Sequence, residues 1–401
     1  MKVCFETFGC RLNRAEALQQ EAEYLEKGWE RTEKHSDADL FIVRGCSVTR
    51  RAQHDCEKLI AHLKKHYPNI PIKVCGCLKD ADATSASRQI KAKSPLINRR
   101  DEDIASTSAL PTRTARAYLK CQDGCSGKCT FCIVPKFRGK STSVPFTDLV
   151  DKSKRFIEAG YHEIVLTGCN LSLYASDGKR LPELVAALAE LSGDCRIRIG
   201  SLEPGACALA TVDVMSAHEN ICRFLHIPVQ SGSNPVLTAM KRPYLVKDVE
   251  ELAERARKTM PLIGLGCDMM TGFPGETDTD FTMTKGLVKR LTFSNVHVFP
   301  YSERPDTLAA AFPSVVPREI RHTRAHVLAD VAKVYRAKAA KKFIGQDVDI
   351  VIEDEKKLTG WTGEYFTCEI TNKNRTPLKR KELVRVHVMD AHSDRLKAIL
   401  I

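Results

Sequence analysis

Apolar residues along the first 77 positions recur in two alternating rhythms. "KVCFETF", "ADLFIVRG" and "IPIKVCGC" are short apolar runs that predict buried strands, and "RAEALQQEAEYLEKG" and "RAQHDCEKLIAHLKKH" carry the helical period of an amphipathic face. Strand and helix in alternation predict a small α/β unit of Rossmann-like character. Residues 79–120 change composition to small, polar and charged side chains, which reads as a shortened subdomain remnant and a linker. From about residue 113 to 340 the alternation resumes, with "AYLKCQ", "HEIVLTG", "CRIRIGS", "CRFLHIPV", "LIGLGCDMMTG" and "NVHVFPY" as strands. Helical stretches such as "FTDLVDKSKRFIEAG" and "VKDVEELAERARKTM" separate them. Repeated βα units predict a parallel sheet closed into a full or partial (β/α) barrel. After residue 341 the period falls to two, in "DVDIVIED", "WTGEYFTCEIT" and "ELVRVHVMD", as expected of a small β-barrel. The chain thus divides into residues 1–112, 113–340 and 341–401.

Three cysteines follow directly on the predicted N-terminal strands: Cys10, Cys46 and Cys77. In an open parallel sheet the carboxyl ends of the strands share one edge, where ligands bind, so three thiols there could converge on one object. Cysteine is also a common buried small hydrophobe, and that reading stays open. Cys75 lies two residues before Cys77; the turn at Gly76 favours Cys77.

A second set, Cys125, Cys129 and Cys132, has the spacing C-x3-C-x2-C and follows the first strand of the barrel. Three thiolates can hold three irons of a four-iron cube and leave the fourth open. Zinc is an alternative, with Cys121 as fourth ligand, and so are three incidental core cysteines. Gly124 and Gly127 favour a loop wrapped closely around something bulky.

Charge and composition narrow the setting. Lys and Arg number 62 against 50 Asp and Glu, a net charge of +12, which suits a polyanionic partner without requiring one. The last 61 residues are nearly balanced, with twelve basic and ten acidic side chains. The start "MKVCFETFGC" does not read as a secretory signal, and no apolar run is long enough to span a bilayer. A cytoplasmic protein is expected, with no membrane association and with its 16 cysteines reduced.

In their order along the chain the motifs resemble those of the radical SAM methylthiotransferase family. "GCSGKCTFCIVP" resembles the radical SAM cluster loop, and "FETFGCRLNRAE", "VRGCSVTRRA" and "VCGC" resemble the three cysteine motifs of the family's N-terminal domain. "FRGKSTS", "LTGCN", "RIGSLEP", "HIPVQSGSNPVLTAMKRPY", "DMMTGFPGETDTDF" and "HVFPYSERPDT" follow, and the C-terminal segment is similar to a TRAM domain. "GCSVT" and "HVFPYSERPDT" are most similar to the MtaB type, whose substrate is N6-threonylcarbamoyladenosine at position 37 of tRNA.

The resemblance implies a transferase with two 4Fe–4S clusters, one on Cys125, Cys129 and Cys132 and one on Cys10, Cys46 and Cys77. The first would cleave S-adenosyl-L-methionine to a radical, with Gly168, Asn170, Ser201, Glu203 and Gln230 at strand ends as candidate contacts to that cofactor. The second would carry the sulfur that is methylated and transferred. It also implies tRNA as partner, through an adenosine of the anticodon loop, and a small-protein electron donor; a monomer is expected. In the C-terminal barrel Trp361, Tyr365 and Phe366, with the run Lys379, Arg380 and Lys381, are candidates for contact with nucleic acid; the alternative for the aromatic residues is that they fill the barrel. Asp306 stands where the family usually has glycine, Val144 where it often has a basic residue, and the region between Cys77 and Cys125 is short. Competing readings are methylthiolation of isopentenyl-adenosine in tRNA or of an aspartate in a ribosomal protein, and a metal-stabilised RNA-binding protein without turnover.

Overall fold

The computed structural model describes residues 1–46, 50–78, 114–371 and 377–401. The predicted linker falls mostly outside these residues, as does the boundary at 112.

Four parallel strands form the N-terminal sheet in the order β2-β1-β3-β4: β1 (Lys2–Thr7), β2 (Glu30–Arg31), β3 (Leu40–Gly45) and β4 (Ile72–Gly76). The two-residue edge strand β2 is too short to leave a sequence pattern. Every residue of the central strand β3 is buried, as expected of a parallel strand covered on both faces. Helix α1 (Arg11–Glu26) follows β1, and α2 (Arg50–His66) follows β3.

Helix α1 departs from the simple amphipathic expectation. Asn13, Glu16, Gln19, Gln20 and Glu21 are buried along with its apolar residues. The cause is a second packing partner: Ala15 and Leu18 pack against Tyr118 and Val165 of the central domain, so the helix lies between two sheets.

The central domain is an open half-barrel of six parallel strands. One sheet has the order β11-β8-β5, from β5 (Ala117–Lys120), β8 (Glu163–Thr167) and β11 (Arg196–Arg198); between them fall two short ribbons, β6 (Gln122–Asp123) with β7 (Thr142–Ser143) and β9 (Ala175–Ser176) with β10 (Lys179–Arg180). The other sheet has the order β12-β13-β14, from β12 (Phe224–Gln230), β13 (Gly264–Thr271) and β14 (Asn295–Pro300). Single parallel bridges, Ile197 to Ile221 and Ser201 to His226, join the two. Alternate residues such as Leu119, Leu166, Ile197, Ile227 and Met269 enter the core shared with the surrounding helices. The opposite set, including Tyr118, Arg198, His226, Asp268 and His297, faces the concave side, because strand side chains alternate.

The last domain is a closed five-stranded barrel, in the order β15-β16-β17-β19-β18: β15 (Asp347–Asp354), β16 (Thr359–Thr362), β17 (Thr367–Thr371), β18 (Leu383–His392) and β19 (Arg395–Leu400). The stretch read as one strand, "WTGEYFTCEIT", is instead the end of β16, a turn, and β17. Tyr365 in that turn takes φ +71°, which breaks the extended run.

This turn docks on the central domain. The Tyr365 ring stacks between Phe224 (4.7 Å) and Trp361 (4.6 Å). Arg198 donates to the carbonyls of Thr362 (2.9 Å) and Gly363 (3.0 Å), and Arg196 to those of Asp349 (2.8 Å) and Trp361 (2.6 Å). Both guanidiniums also hold the fully buried Glu163 at 2.6 Å, so its carboxyl lies well below the usual range although burial opposes ionisation. Glu163, Arg196, Phe224 and Gly264 each begin a strand, so the barrel closes the amino end of the half-barrel. Phe366 fills the small barrel's own core. The three aromatic candidates for nucleic-acid contact are therefore spent on packing and docking. No helix among the described residues is long and apolar enough to cross a membrane.

Candidate functional site

The carboxyl ends of β1, β3 and β4 each run into a glycine followed by a cysteine: Gly9-Cys10, Gly45-Cys46 and Gly76-Cys77. The glycines are sterically required. A Cβ on Gly9 (φ +96°) would lie 2.5 Å from Cys46 Cβ and 2.7 Å from its Sγ. One on Gly76 (φ +83°) would lie 2.7 Å from the Gly45 carbonyl oxygen. The Cys77 amide donates to that same oxygen at 3.1 Å. These turns bring the three thiol-bearing loops to one edge of the sheet. Cys10 is exposed there, whereas Cys46 and Cys77 are buried. Cys75 lies within β4 and turns its Sγ toward Gln20 Oε1 (3.7 Å) and the Val43 carbonyl (3.8 Å), away from this edge.

The C-x3-C-x2-C loop is closed at its base by the ribbon β6–β7, with Asp123 opposite Thr142. Gly124 (φ +64°) has no room for a side chain, since a Cβ would fall 2.0 Å from the Lys140 carbonyl oxygen. The Cys125 amide donates to Gly139, the Gly127 amide to Cys125 Sγ (3.3 Å), and the Cys132 amide to the Cys129 carbonyl (3.2 Å). Thr130 ties the loop to Ala239 and Met240. Burial pushes the Cys125 thiol up and that of Cys132 to about 11. Cys121, the fourth ligand of the zinc alternative, is fully buried in the hydrophobic core with Leu119 and Leu166, so it is not part of this loop site.

Beside the loop, three of the candidate cofactor contacts, Gly168, Asn170 and Glu203, form a connected rim. Asn170 Nδ2 donates to Glu203 Oε2 (2.6 Å), and the other carboxylate oxygen accepts from Arg242 Nη2 (2.6 Å). Arg242 in turn donates through Nη1 to Cys129 Sγ (3.0 Å). Gly168 leaves space for Gln122, whose Oε1 accepts from the Asn170 amide; a Cβ there would stand 2.9 Å from that oxygen. Gln230 closes β12 at a register shift with φ +70°, and its Oε1 is buried without a hydrogen-bond partner among the described residues. An orphaned buried acceptor in that position fits a polar ligand group. Ser201 is exposed, beside the bridge to His226.

Arg138, at the end of the short helix α3 (Val134–Arg138), joins the two cysteine sets. Its Nε donates to Cys77 Sγ (3.2 Å), its Nη1 to Asp123 (2.9 Å) and Glu16 (2.9 Å), and its Nη2 to Asn13 (2.6 Å). Lys120 bridges Glu16 (2.7 Å) and Asp123 (2.6 Å), and Arg44 adds a third cation to Glu16 (2.7 Å). Burial would raise the Glu16 carboxyl, but the Arg138 hydrogen bond and the charges of Lys120, Arg138 and Arg44 bring it down to about 2. Cys169 Sγ lies 3.6 Å from Asp123 Oδ1; burial pushes its thiol up, against the nearby Arg138 charge.

Each cysteine set thus has one guanidinium donating to one of its sulfurs, Arg138 to Cys77 and Arg242 to Cys129. Thiolates bound to iron carry negative charge that such donors stabilise, so the residues present fit iron–sulfur clusters. The motif strings "FRGKSTS" and "KRPY" contain these arginines, but nothing in a sequence shows that they reach sulfur.

The half-barrel with its cysteine loop at the carboxyl ends of the strands defines a radical SAM enzyme: residues 119–288 match the model described as "Radical SAM superfamily", and residues 2–97 match "Uncharacterized protein family UPF0004". The chain is 30% identical to the threonylcarbamoyladenosine tRNA methylthiotransferase MtaB of Aquifex aeolicus, over 90% of this chain and 95% of that one. It is 31% identical to a tRNA-2-methylthio-N(6)-dimethylallyladenosine synthase of a Sulfurihydrogenibium species, over 90% and 91%. The radical S-adenosylmethionine methyltransferase TsrM of Kitasatospora setae shares the fold, with a TM-score of 0.55 at 12% identity over 77% of this chain and 76% of that one. The chain belongs to the radical SAM methylthiotransferase family and is a transferase. Membership implies S-adenosylmethionine and a 4Fe–4S cluster as cofactors.

Proposed function

We propose that this enzyme methylthiolates carbon 2 of N6-threonylcarbamoyladenosine at position 37 of tRNA. Cys125, Cys129 and Cys132 hold the cluster that binds S-adenosylmethionine, and Cys10, Cys46 and Cys77 hold a second 4Fe–4S cluster. The domains are 1–112 for the sulfur-bearing cluster, 113–340 for the radical SAM core, and 341–401 for a TRAM-like module. When bound, these groups supply reductive cleavage of S-adenosylmethionine and the sulfur to be transferred.

The protein's own part is positioning. Glu203, held between Asn170 and Arg242, presents a fixed carboxylate beside the cysteine loop, suited to an ammonium group. Gln230 offers an unused acceptor from the next strand end. Arg138 keeps the two cysteine sets in one frame, and helix α1 packs Ala15 and Leu18 against Tyr118 and Val165 of the half-barrel. The net charge of +12 supports a tRNA partner.

The observation that carries this reading is Arg138, which touches the N-terminal cysteine set while standing at the end of the radical SAM loop. The choice of nucleoside rests on "GCSVT" and "HVFPYSERPDT", because relatives of both tRNA types match at 30–31% identity. The test is incubation of the reconstituted enzyme with tRNA carrying either threonylcarbamoyladenosine or isopentenyl-adenosine, read by mass spectrometry of nucleosides. Methylthio product on the first alone is expected. Product on the second alone overturns the nucleoside, and product on neither overturns the tRNA reading.

A further inference from the structure

Three side chains on adjacent strands of the concave face meet without any part in the cysteine sites. His226 on β12, Asp268 on β13 and His297 on β14 each offer a ligand atom, and these atoms all lie within 4.8 Å of one another. His226 Nε2 is 3.1 Å from Asp268 Oδ2, and His297 Nδ1 is 3.1 Å from Asp268 Oδ1. The strand register produces this grouping: Asp268 pairs directly with His297, and His226 pairs with Gly266, two residues before Asp268 on the same face.

We propose that His226, Asp268 and His297 form a divalent-metal site on the concave face of the half-barrel, separate from both cysteine sets.

The donor set argues for a borderline transition ion. Two imidazoles and one carboxylate, with coordination positions left open, are the ligands of catalytic zinc and non-haem iron(II) sites. Magnesium and calcium prefer sites built from oxygen. The three donors come from rigid neighbouring strands, the support that a metal site needs to keep its geometry. The surroundings are shaped to seat the deepest ligand. A Cβ on Gly266 would fall 2.9 Å from His226 Nδ1 and 2.5 Å from Phe224 Cζ, so glycine on β13 is what admits the His226 ring. Burial falls off in one direction, from His226 at 5% exposed through Asp268 to the exposed His297. The open positions of a bound ion therefore face the solvent side of the concavity. His226 stands four residues before Gln230 on β12, roughly 13 Å along the strand at its usual rise, which sets the ion apart from the cofactor rim.

The probe is zinc alone, added to tag-free enzyme whose clusters are loaded and verified by iron and sulfide content after dialysis against a chelator. Calorimetric titration and metal analysis of the desalted protein should give one zinc per chain. His297→Ala and His226→Ala should each weaken zinc binding by a hundredfold or more while iron and sulfide stay at wild-type levels. His297 is exposed, so its variant keeps the test informative if His226→Ala does not fold. No zinc uptake by the wild-type enzyme, or stoichiometric zinc retained by His297→Ala with wild-type affinity, would overturn the proposal and leave a hydrogen-bonded His–Asp–His cluster.

Discussion

Arg138 Nε donates to Cys77 Sγ at 3.2 Å, so the radical SAM loop reaches across to a cysteine of the N-terminal sheet. One guanidinium also serves Glu16, Asp123 and Asn13. Five donors in a fixed fork can do this, and a lysine ammonium cannot.

Arg138→Lys is therefore expected to keep charge near Glu16 but lose the contact to sulfur. Cleavage of S-adenosylmethionine, measured as 5'-deoxyadenosine release, should stay close to wild type. Methylthiolated product should fall by about 10-fold or more, the usual cost of losing a partner that orients a metal ligand. Equal loss of both readouts would show that Arg138 serves the radical step instead. Arg138→Ala removes one of the three cations around the buried Glu16, which keeps Lys120 and Arg44, and should destabilise the fold by about 1.5–3 kcal/mol, seen as a lowered thermal midpoint.

The two cysteine sets should separate functionally. Cys129→Ala should abolish 5'-deoxyadenosine release, because two thiolates and an arginine do not hold a site-differentiated cube. Cys46→Ala should still release 5'-deoxyadenosine yet make no methylthio product. Product from Cys46→Ala at wild-type yield would remove Cys46 from the second cluster.

Much of this arrangement was legible in the sequence. The strand-end cysteines were readable because a parallel sheet places all its carboxyl ends on one edge, and the six core strands because apolar runs alternate with helical ones. Helix α1 formed where its period placed it, but its polar face is buried: Glu16 meets Lys120 of β5, while Gln20 and Glu21 meet Arg44 and Arg31 of the N-terminal sheet, pairings that no local pattern shows. Arg138 and Arg242 were invisible as sulfur contacts for the same reason: their partners, Cys77 and Cys129, are 61 and 113 residues distant. The turn at Tyr365 was hidden inside a β-like run because only its positive φ and its docking on Phe224 separate it from a strand. Asp306, where glycine is usual, takes φ +66°, a conformation aspartate tolerates better than most residues, and its carboxylate pairs with Lys136.

Acid should loosen the joint between the first two domains. The Glu16 carboxyl sits at about 2 in the fold against an ordinary 4.5. Its contribution, roughly 3 kcal/mol by linkage, is complete above about pH 4.5 and lost as pH falls from there toward 2. Thermal midpoints of wild type and Glu16→Gln should therefore differ most at neutral pH, draw together as pH falls below about 4.5, and converge near pH 2. A constant difference across that range would show that Glu16 acts by shape and not by charge.

The C-terminal barrel tests differently from what its sequence suggests. Read as a nucleic-acid module, it should come away cleanly, with removal of residues 341–401 weakening tRNA binding and sparing cleavage of S-adenosylmethionine. The structure predicts otherwise. Deletion strips the carbonyl acceptors of Asp349, Trp361, Thr362 and Gly363 from Arg196 and Arg198, and the stacking partner from Phe224. Each unsatisfied buried donor costs about 1–3 kcal/mol, so the truncated chain should melt well below the intact enzyme and lose cleavage activity with it. Binding is better probed on the surface. Lys379 and Arg380 are exposed, and Arg380 Nε donates to the Glu353 carbonyl within the same barrel (2.9 Å). Lys379→Glu with Arg380→Glu should lower the melting point far less than the truncation does and weaken tRNA binding. If both touch phosphate, the slope of log affinity against log salt should fall by about 2. An unchanged slope would place the tRNA on the other domains, with the barrel serving to close the amino end of the half-barrel.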